Sequence, residues 1–186
     1  MKINQPLLAR FFYGFLLLAG LWWIGVSAVP EANTSSGGIP APQTGFLAPD
    51  FTLTTLDGQK VTLSNLRGQV ILLNIWASWC PPCRAEMPAM QRVWEEYQFQ
   101  GVVVLAVNST VQDTLTDAQT FVTENVLTFP IPLDTQGEVT RLYRVSSLPT
   151  SFFIGADGVI REVVIGGPMA EALLRSRVEQ LLKETR

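Results

Sequence analysis

Trp79-Cys80-Pro81-Pro82-Cys83 is the stretch on which the reading of this chain turns, because it holds the only two cysteines among 186 residues. Any thiol chemistry must run between them. The pair follows the apolar run Val70 to Trp76 and precedes a helical pattern from Arg84 to Tyr97, which predicts a strand-to-helix junction. At a helix N-terminus, free backbone N–H groups and the positive end of the macrodipole favour a thiolate. A thiol of pKa about 8.5 is about 3% ionised at pH 7, and one lowered to about 7 is half ionised. Cys80 is therefore the expected nucleophile, exposed and acidic. Cys83 falls one turn later on the face that continues through Met87, Met90 and Trp94, and is the expected buried resolving thiol. Pro81 suits the first helical turn, where its missing N–H has no partner to lose.

Other uses of the pair fit less well. A purely structural disulfide closing so small a loop stabilises by about 2 kcal/mol in the chain-entropy model, less than bridges over long loops. Structural zinc needs about four ligands, and the chain offers two cysteines and no histidine. Haem attachment of the c type fails because Arg84, not histidine, follows Cys83. Reversible dithiol–disulfide exchange remains, with no cofactor beyond the Cys80–Cys83 pair itself.

Working outward, 47% hydrophobic residues suffice for one packed domain. A net charge of −3 without a basic, aromatic-interleaved stripe gives no support to a nucleic-acid partner, and none is expected. Residues 1–10 carry Lys2 and Arg10, and Phe11 to Val29 are nineteen residues without a charge. As a helix that run spans about 28 Å against a hydrocarbon core of about 30 Å, so 11–29 reads as a transmembrane anchor in the lipid bilayer. The positive-inside rule then places 1–10 in the cytoplasm and the rest outside, in the periplasm or on the outer face. A cleaved signal peptide is the alternative, since Val26-Ser27-Ala28 resembles a cleavage site. Residues 30–47, rich in Pro, Gly, Ser, Thr and Ala, read as a flexible linker of coil dimension roughly 25 Å. Residues 48–186 read as the folded domain.

In that domain Phe51 to Thr55 and Lys60 to Leu63 flank Asp57-Gly58 as a hairpin. The uninterrupted apolar run Val70 to Trp76 predicts a central strand covered on both faces. The helix after the cysteines is expected to reach about Gln98, with a kink at Pro88. Val102 to Val107 reads as a buried strand, Thr116 to Val126 as a helix, Ile131 to Leu133 as a short strand and Gln136 to Tyr143 as helical. Ser151 to Ile154 and Val159 to Ile165 flank Gly155-Ala156-Asp157-Gly158 as an antiparallel hairpin, and Met169 to Leu182 reads as an amphipathic helix. The class is α/β, a mixed central sheet with helices on both faces.

Four segments then carry a resemblance over residues 46 to 183: Ala48-Pro49-Asp50-Phe51; Leu73-Asn74-Ile75-Trp76-Ala77-Ser78-Trp79-Cys80-Pro81-Pro82-Cys83-Arg84; Glu86-Met87-Pro88; and Leu148-Pro149-Thr150. Together they resemble the thioredoxin superfamily, and within it the membrane-anchored TlpA/ResA-like thiol–disulfide oxidoreductases, with an opening of the AhpC/TSA type. The helix and strand at about 113 to 133 resemble that group's central insertion.

The resemblance implies a thioredoxin-like fold with an N-terminal hairpin and a cis Pro149 facing the disulfide. Leu148 would pair with an extended client segment, with Trp79, Pro81, Pro82, Pro149 and Thr150 completing the substrate surface. It implies a helix acid, Glu86, three positions after Cys83, exchanging a proton with that thiol; the central-strand position six residues before Cys80 is Asn74, which cannot titrate. The alternative for Glu86 is that it simply complements the dipole in the first helical turns. Trp76 and Trp79 surround the site or simply pack the core. The resemblance further implies a reductive direction, electrons from a membrane thiol donor, and protein clients such as apocytochrome c. The Cys-x-x-Cys geometry itself serves oxidants, isomerases and reductants alike. A thiol peroxidase is disfavoured because Leu73 and Ala77 stand where that chemistry needs Pro and Thr, and a non-catalytic tethered client-binding module because both cysteines are present.

Overall fold

In the computed structural model the described residues are 38–185, so the anchor expected at 11–29, the terminus 1–10 and the first part of the linker lie outside them. No helix among the described residues is long and apolar enough to cross a membrane.

The centre is a four-stranded mixed sheet. The apolar run at Val70–Trp76 forms β3, buried at every position, and Val102–Asn108 forms β4, buried likewise. They pair in parallel, Val70 opposite Val102 through Trp76 opposite Asn108. β5 (Thr150–Ile154) runs antiparallel on the other side of β3, and β6 (Ile160–Ile165) antiparallel to β5, giving the order β4-β3-β5-β6. The expected hairpin forms the separate two-stranded sheet β1 (Thr52–Thr54) and β2 (Lys60–Thr62).

Side chains alternate across a sheet, so β3 feeds two cores. Val70, Leu72 and Trp76 face one side with Met87, Met90 and Val93 of α1 (Pro81–Tyr97), Phe121 of α2 (Leu115–Glu124), and Leu174, Val178 and Leu181 of α4 (Glu171–Glu184). Ile71, Leu73 and Ile75 face the other, with Phe51, Leu63, Tyr143 and Val139 of α3 (Glu138–Leu142). Asn74 shares the parity of Leu72 and Trp76, so it is aimed at the side of the sheet that α1 covers.

Two expectations are corrected. Ile131 to Leu133 forms isolated bridges rather than a strand, Pro132 to Thr55 and Leu133 to Asn108. Pro130 and Pro132 have no N–H, so they offer only carbonyls to β4, accepting from Ala106 and Asn108 at 3.2 and 2.8 Å. Leu133 meanwhile donates to the Thr54 carbonyl, tying β1 to the sheet. α1 begins at Pro81, as the first-turn proline predicts, and continues as one helix through Pro88 to Tyr97. Finally, part of the expected linker is bonded into the fold: the Gly45 and Ile160 backbones exchange bonds with Ile160 and Phe46, and the Ala48 N–H reaches the Gly158 carbonyl.

Candidate active site

Cys80 is the N-cap of α1, with extended backbone angles, and Pro81 occupies the first helical position as expected. The sulfur of Cys80 accepts the Cys83 N–H at 3.4 Å, and the two residues are joined in a disulfide with Cα atoms 5.3 Å apart. Cys83 is fully buried. Contrary to expectation the leading cysteine is covered too, at 3% exposure in this oxidised state, because it joins the apolar cluster of Trp76, Ala77, Met87 and Met169.

The loop before Cys80 is held by the segment leading into α2. The Asp113 carboxylate accepts the Ser78 N–H at 2.6 Å and the Ser78 hydroxyl at 2.7 Å, with Asn108 Nδ2 and the Thr114 N–H as further donors. Burial pushes the Asp113 carboxyl up, but these donors together hold it below the usual carboxylate range. The Trp79 indole N–H donates to the Gln112 carbonyl at 2.8 Å while the ring stays 56% exposed. Trp76, by contrast, is wholly core, stacked at a tilt on Phe121 with its N–H on the Ala106 carbonyl. The Arg84 guanidinium reaches the Ser78 carbonyl and lies 4.5 Å over Phe121. None of Gln112, Asp113 or Phe121 was singled out from the sequence. The only local signal was Thr114 capping α2 through the Asp117 N–H.

Glu86 is buried beneath the same helix turn. Its Oε1 accepts Asn74 Nδ2 at 2.8 Å and its Oε2 accepts the Met169 N–H at 3.1 Å. Burial pushes its carboxyl above the ordinary value, and the Met169 and Asn74 donors only partly offset this. Asn74 Nδ2 also donates to Ser151 Oγ at 2.8 Å, whereas Asn74 Oδ1 is buried without a partner.

Leu148–Pro149 is cis, as the resemblance implies, and so is Gly167–Pro168, which no sequence signal suggested. A Cβ on Gly167 would stand 2.8 Å from both Glu86 Oε2 and Pro149 Cγ, so these two loops close over the buried acid. Leu148 is half-buried and packs against both cores. Thr150 turns inward, its hydroxyl donating to the Ser147 carbonyl at 2.8 Å, so it offers no side-chain donor to a client. Pro81 is exposed and Pro82 half-buried. Among the described residues no cluster of acidic or cysteine side chains could hold a metal ion.

A disulfide capping the helix that leaves the central strand, with a cis proline opening β5, is the arrangement of a thioredoxin-like thiol–disulfide oxidoreductase. The chain belongs to the AhpC/TSA family, whose model matches residues 44–163. It is 42% identical over 144 residues to the thiol-disulfide oxidoreductase ResA of Oceanobacillus iheyensis, covering 75% of this chain and 71% of that protein. Among solved structures it resembles StoA from Bacillus subtilis, at 33% identity and TM-score 0.62, covering 69% of this chain and 96% of that one. It also resembles a thiol:disulfide interchange protein of the thioredoxin family from Chlorobium tepidum, at 30% identity and TM-score 0.65, covering 77% and 99%.

Proposed function

We propose that this thiol–disulfide oxidoreductase works outside the cytoplasmic membrane as a reductant of protein disulfides, with apocytochrome c among its clients and a membrane thiol protein as electron donor. In the reduced enzyme the Cys80 thiolate attacks a client disulfide, one client sulfur leaving as thiolate. Cys83 then gives its proton to the Glu86 carboxylate and attacks the Cys80 sulfur, which releases the second client thiolate and closes the Cys80–Cys83 bond. Two electrons pass to the client, and the donor dithiol restores them. The client segment runs along Leu148, whose backbone N–H and C=O enter none of the hydrogen bonds among the described residues.

The observation that carries the reading is the Cys83 N–H on the Cys80 sulfur at the helix N-cap. It also bears on direction. A strongly oxidising pair needs a heavily stabilised thiolate, whereas here the chain has no histidine and the nearby Arg84 cation is spent on the Ser78 carbonyl and the Phe121 ring. With only backbone stabilisation the pair belongs on the reducing side. The uncharged run Phe11 to Val29 supports tethering at the membrane.

The test is the reduction potential of the full chain together with insulin reduction under dithiothreitol. A potential of about −250 mV or lower supports a reductant; one near about −120 mV overturns that direction. Cys80→Ser abolishes turnover, Cys83→Ser accumulates a mixed disulfide from which the client is identified, and turnover unchanged by Cys80→Ser would leave a binding module instead.

A further inference from the structure

Both groups bonded to Glu86, the Met169 N–H and Asn74 Nδ2, are donors. They suit a carboxylate, but a protonated carboxyl also needs an acceptor for its O–H, and neither supplies one. The missing acceptor lies on the same side chain: Asn74 Oδ1 is buried and unpartnered. Half a turn of the amide about its terminal torsion exchanges Nδ2 and Oδ1. Ser151 does not resist the exchange, because its hydroxyl, which now accepts from Nδ2, can equally donate to Oδ1.

We infer that Asn74 is the positioning residue for the Glu86 proton, its amide giving N–H to the carboxylate and turning over to give its carbonyl oxygen to the carboxyl O–H. Each state leaves one amide atom unpaired, Oδ1 in the first and Nδ2 in the second, so the two are closely balanced and the proton decides between them. This rests on the proposed transfer between Cys83 and Glu86. When the Cys83 thiol passes its proton to Glu86 Oε1, thiolate and carboxyl form together and the amide turns. When a donor dithiol later reopens the disulfide, Cys83 leaves as thiolate, retrieves that proton, and the amide returns.

No competing charge disturbs the arrangement. β3 and β5 contain no ionisable side chain, and on this turn of α1 the groups besides Glu86 are Cys83 and Arg84, whose guanidinium is turned to the Ser78 carbonyl and the Phe121 ring, while Gly167 and the Met169 amide close the remaining side. On α4, Glu171 and Arg175 are engaged at the surface with Arg92 and Glu96. Burial favours the protonated acid, which keeps the second state within reach.

The experiment is a pH titration of the oxidised, isotope-labelled full chain, following the Glu86 carboxyl carbon and the Asn74 side-chain amide protons by NMR. Expected are close contacts from the amide protons to Glu86 and Ser151 above the Glu86 midpoint, lost below it with the same midpoint. Contacts that persist on both sides overturn the inference. Asn74→Leu, which removes donor and acceptor alike, is expected to slow mixed-disulfide resolution roughly tenfold; an unchanged rate also counts against it. The underlying relay is tested separately: a Glu86→Gln enzyme resolving mixed disulfides at the wild-type rate refutes the transfer, whatever the amide does.

Discussion

The Asp113 carboxylate takes both hydrogen bonds that Ser78 can donate, at 2.6 Å from its N–H and 2.7 Å from its hydroxyl, and so fixes the loop two residues before Cys80 from 35 positions downstream. The insertion is thereby part of the active-site support. Asp113→Ala strips a charged acceptor from four donors, and a loss of about 2–3 kcal/mol in urea denaturation is expected, with slower attack by Cys80 because the helix N-cap is less well held. The sign with pH follows from its lowered pKa. The stabilisation is present above the ordinary carboxylate value and is lost as pH falls through the lower folded value. Asp113→Asn should therefore flatten the acid limb of the stability curve while leaving neutral stability closer to wild type, which a pH series of denaturation midpoints reads directly.

Glu86 has the opposite sign. Its folded pKa lies above the ordinary value, so the folded protein binds the extra proton in the window between the two. Stability of the oxidised protein, in which neither cysteine titrates, is expected to fall as pH rises through that window, with a slope of at most about 1.4 kcal/mol per pH unit. Glu86→Gln removes the slope and keeps the fold, because the glutamine NH2 can donate to a turned Asn74 Oδ1 while its oxygen accepts the Met169 N–H. A wild-type slope surviving in Glu86→Gln would assign the pH dependence to another group.

What the sequence disclosed was whatever depends on neighbours in the chain. The unbroken apolar run made β3 central, and the spacing of the cysteines with Pro81 placed the helix N-cap. The contacts that give the site its character join distant segments. The Met169 N–H reaches Glu86 across 83 positions, and nothing in Gly166-Gly167-Pro168 announces that it will close over an acid. Cys80 looked exposed because a helix N-cap usually is. Its cover comes from an apolar cluster assembled only when β3, α1 and the start of α4 pack. Asn74 was noticed as an acid that is missing, whereas its orphaned oxygen exists only once Ser151 and Glu86 have taken the other end of the amide.

The opening Ala48-Pro49-Asp50-Phe51 has a structural account of its own. The Tyr143 hydroxyl donates to the Pro49 carbonyl at 2.7 Å, its ring meets Phe51 and Phe152 edge-on at 6.0 and 4.9 Å, and Asp50 Oδ1 accepts the Ser64 N–H at 2.8 Å. Tyr143→Phe keeps the aromatic packing and leaves a buried carbonyl unpaired, so a loss of about 1 kcal/mol, or roughly 2–4 °C in Tm, is expected. Because this cluster lies on the face of the sheet away from α1, insulin reduction should be unchanged. A variant as stable as wild type would mean that the hydroxyl contributes nothing.

Gly167 offers the sharpest single-atom test of how the buried acid is held. A Cβ there would sit 2.8 Å from Glu86 Oε2 and 2.8 Å from Pro149 Cγ, and the proline ring cannot swing aside as a long side chain would. Gly167→Ala must therefore lift the loop from Pro149, push the carboxylate off the Met169 N–H, or both. Forced displacement in a packed site costs about 1–3 kcal/mol. Loss of the Met169 donor, one of the two bonds opposing burial, should raise the Glu86 pKa further and extend the falling limb of the stability curve to higher pH. Resolution of mixed disulfides should slow in the same variant, because a carboxylate displaced from the turn below Cys83 is no longer placed to take its proton. Wild-type stability together with an unmoved Glu86 titration would show that the loop yields freely and that glycine is dispensable at this position.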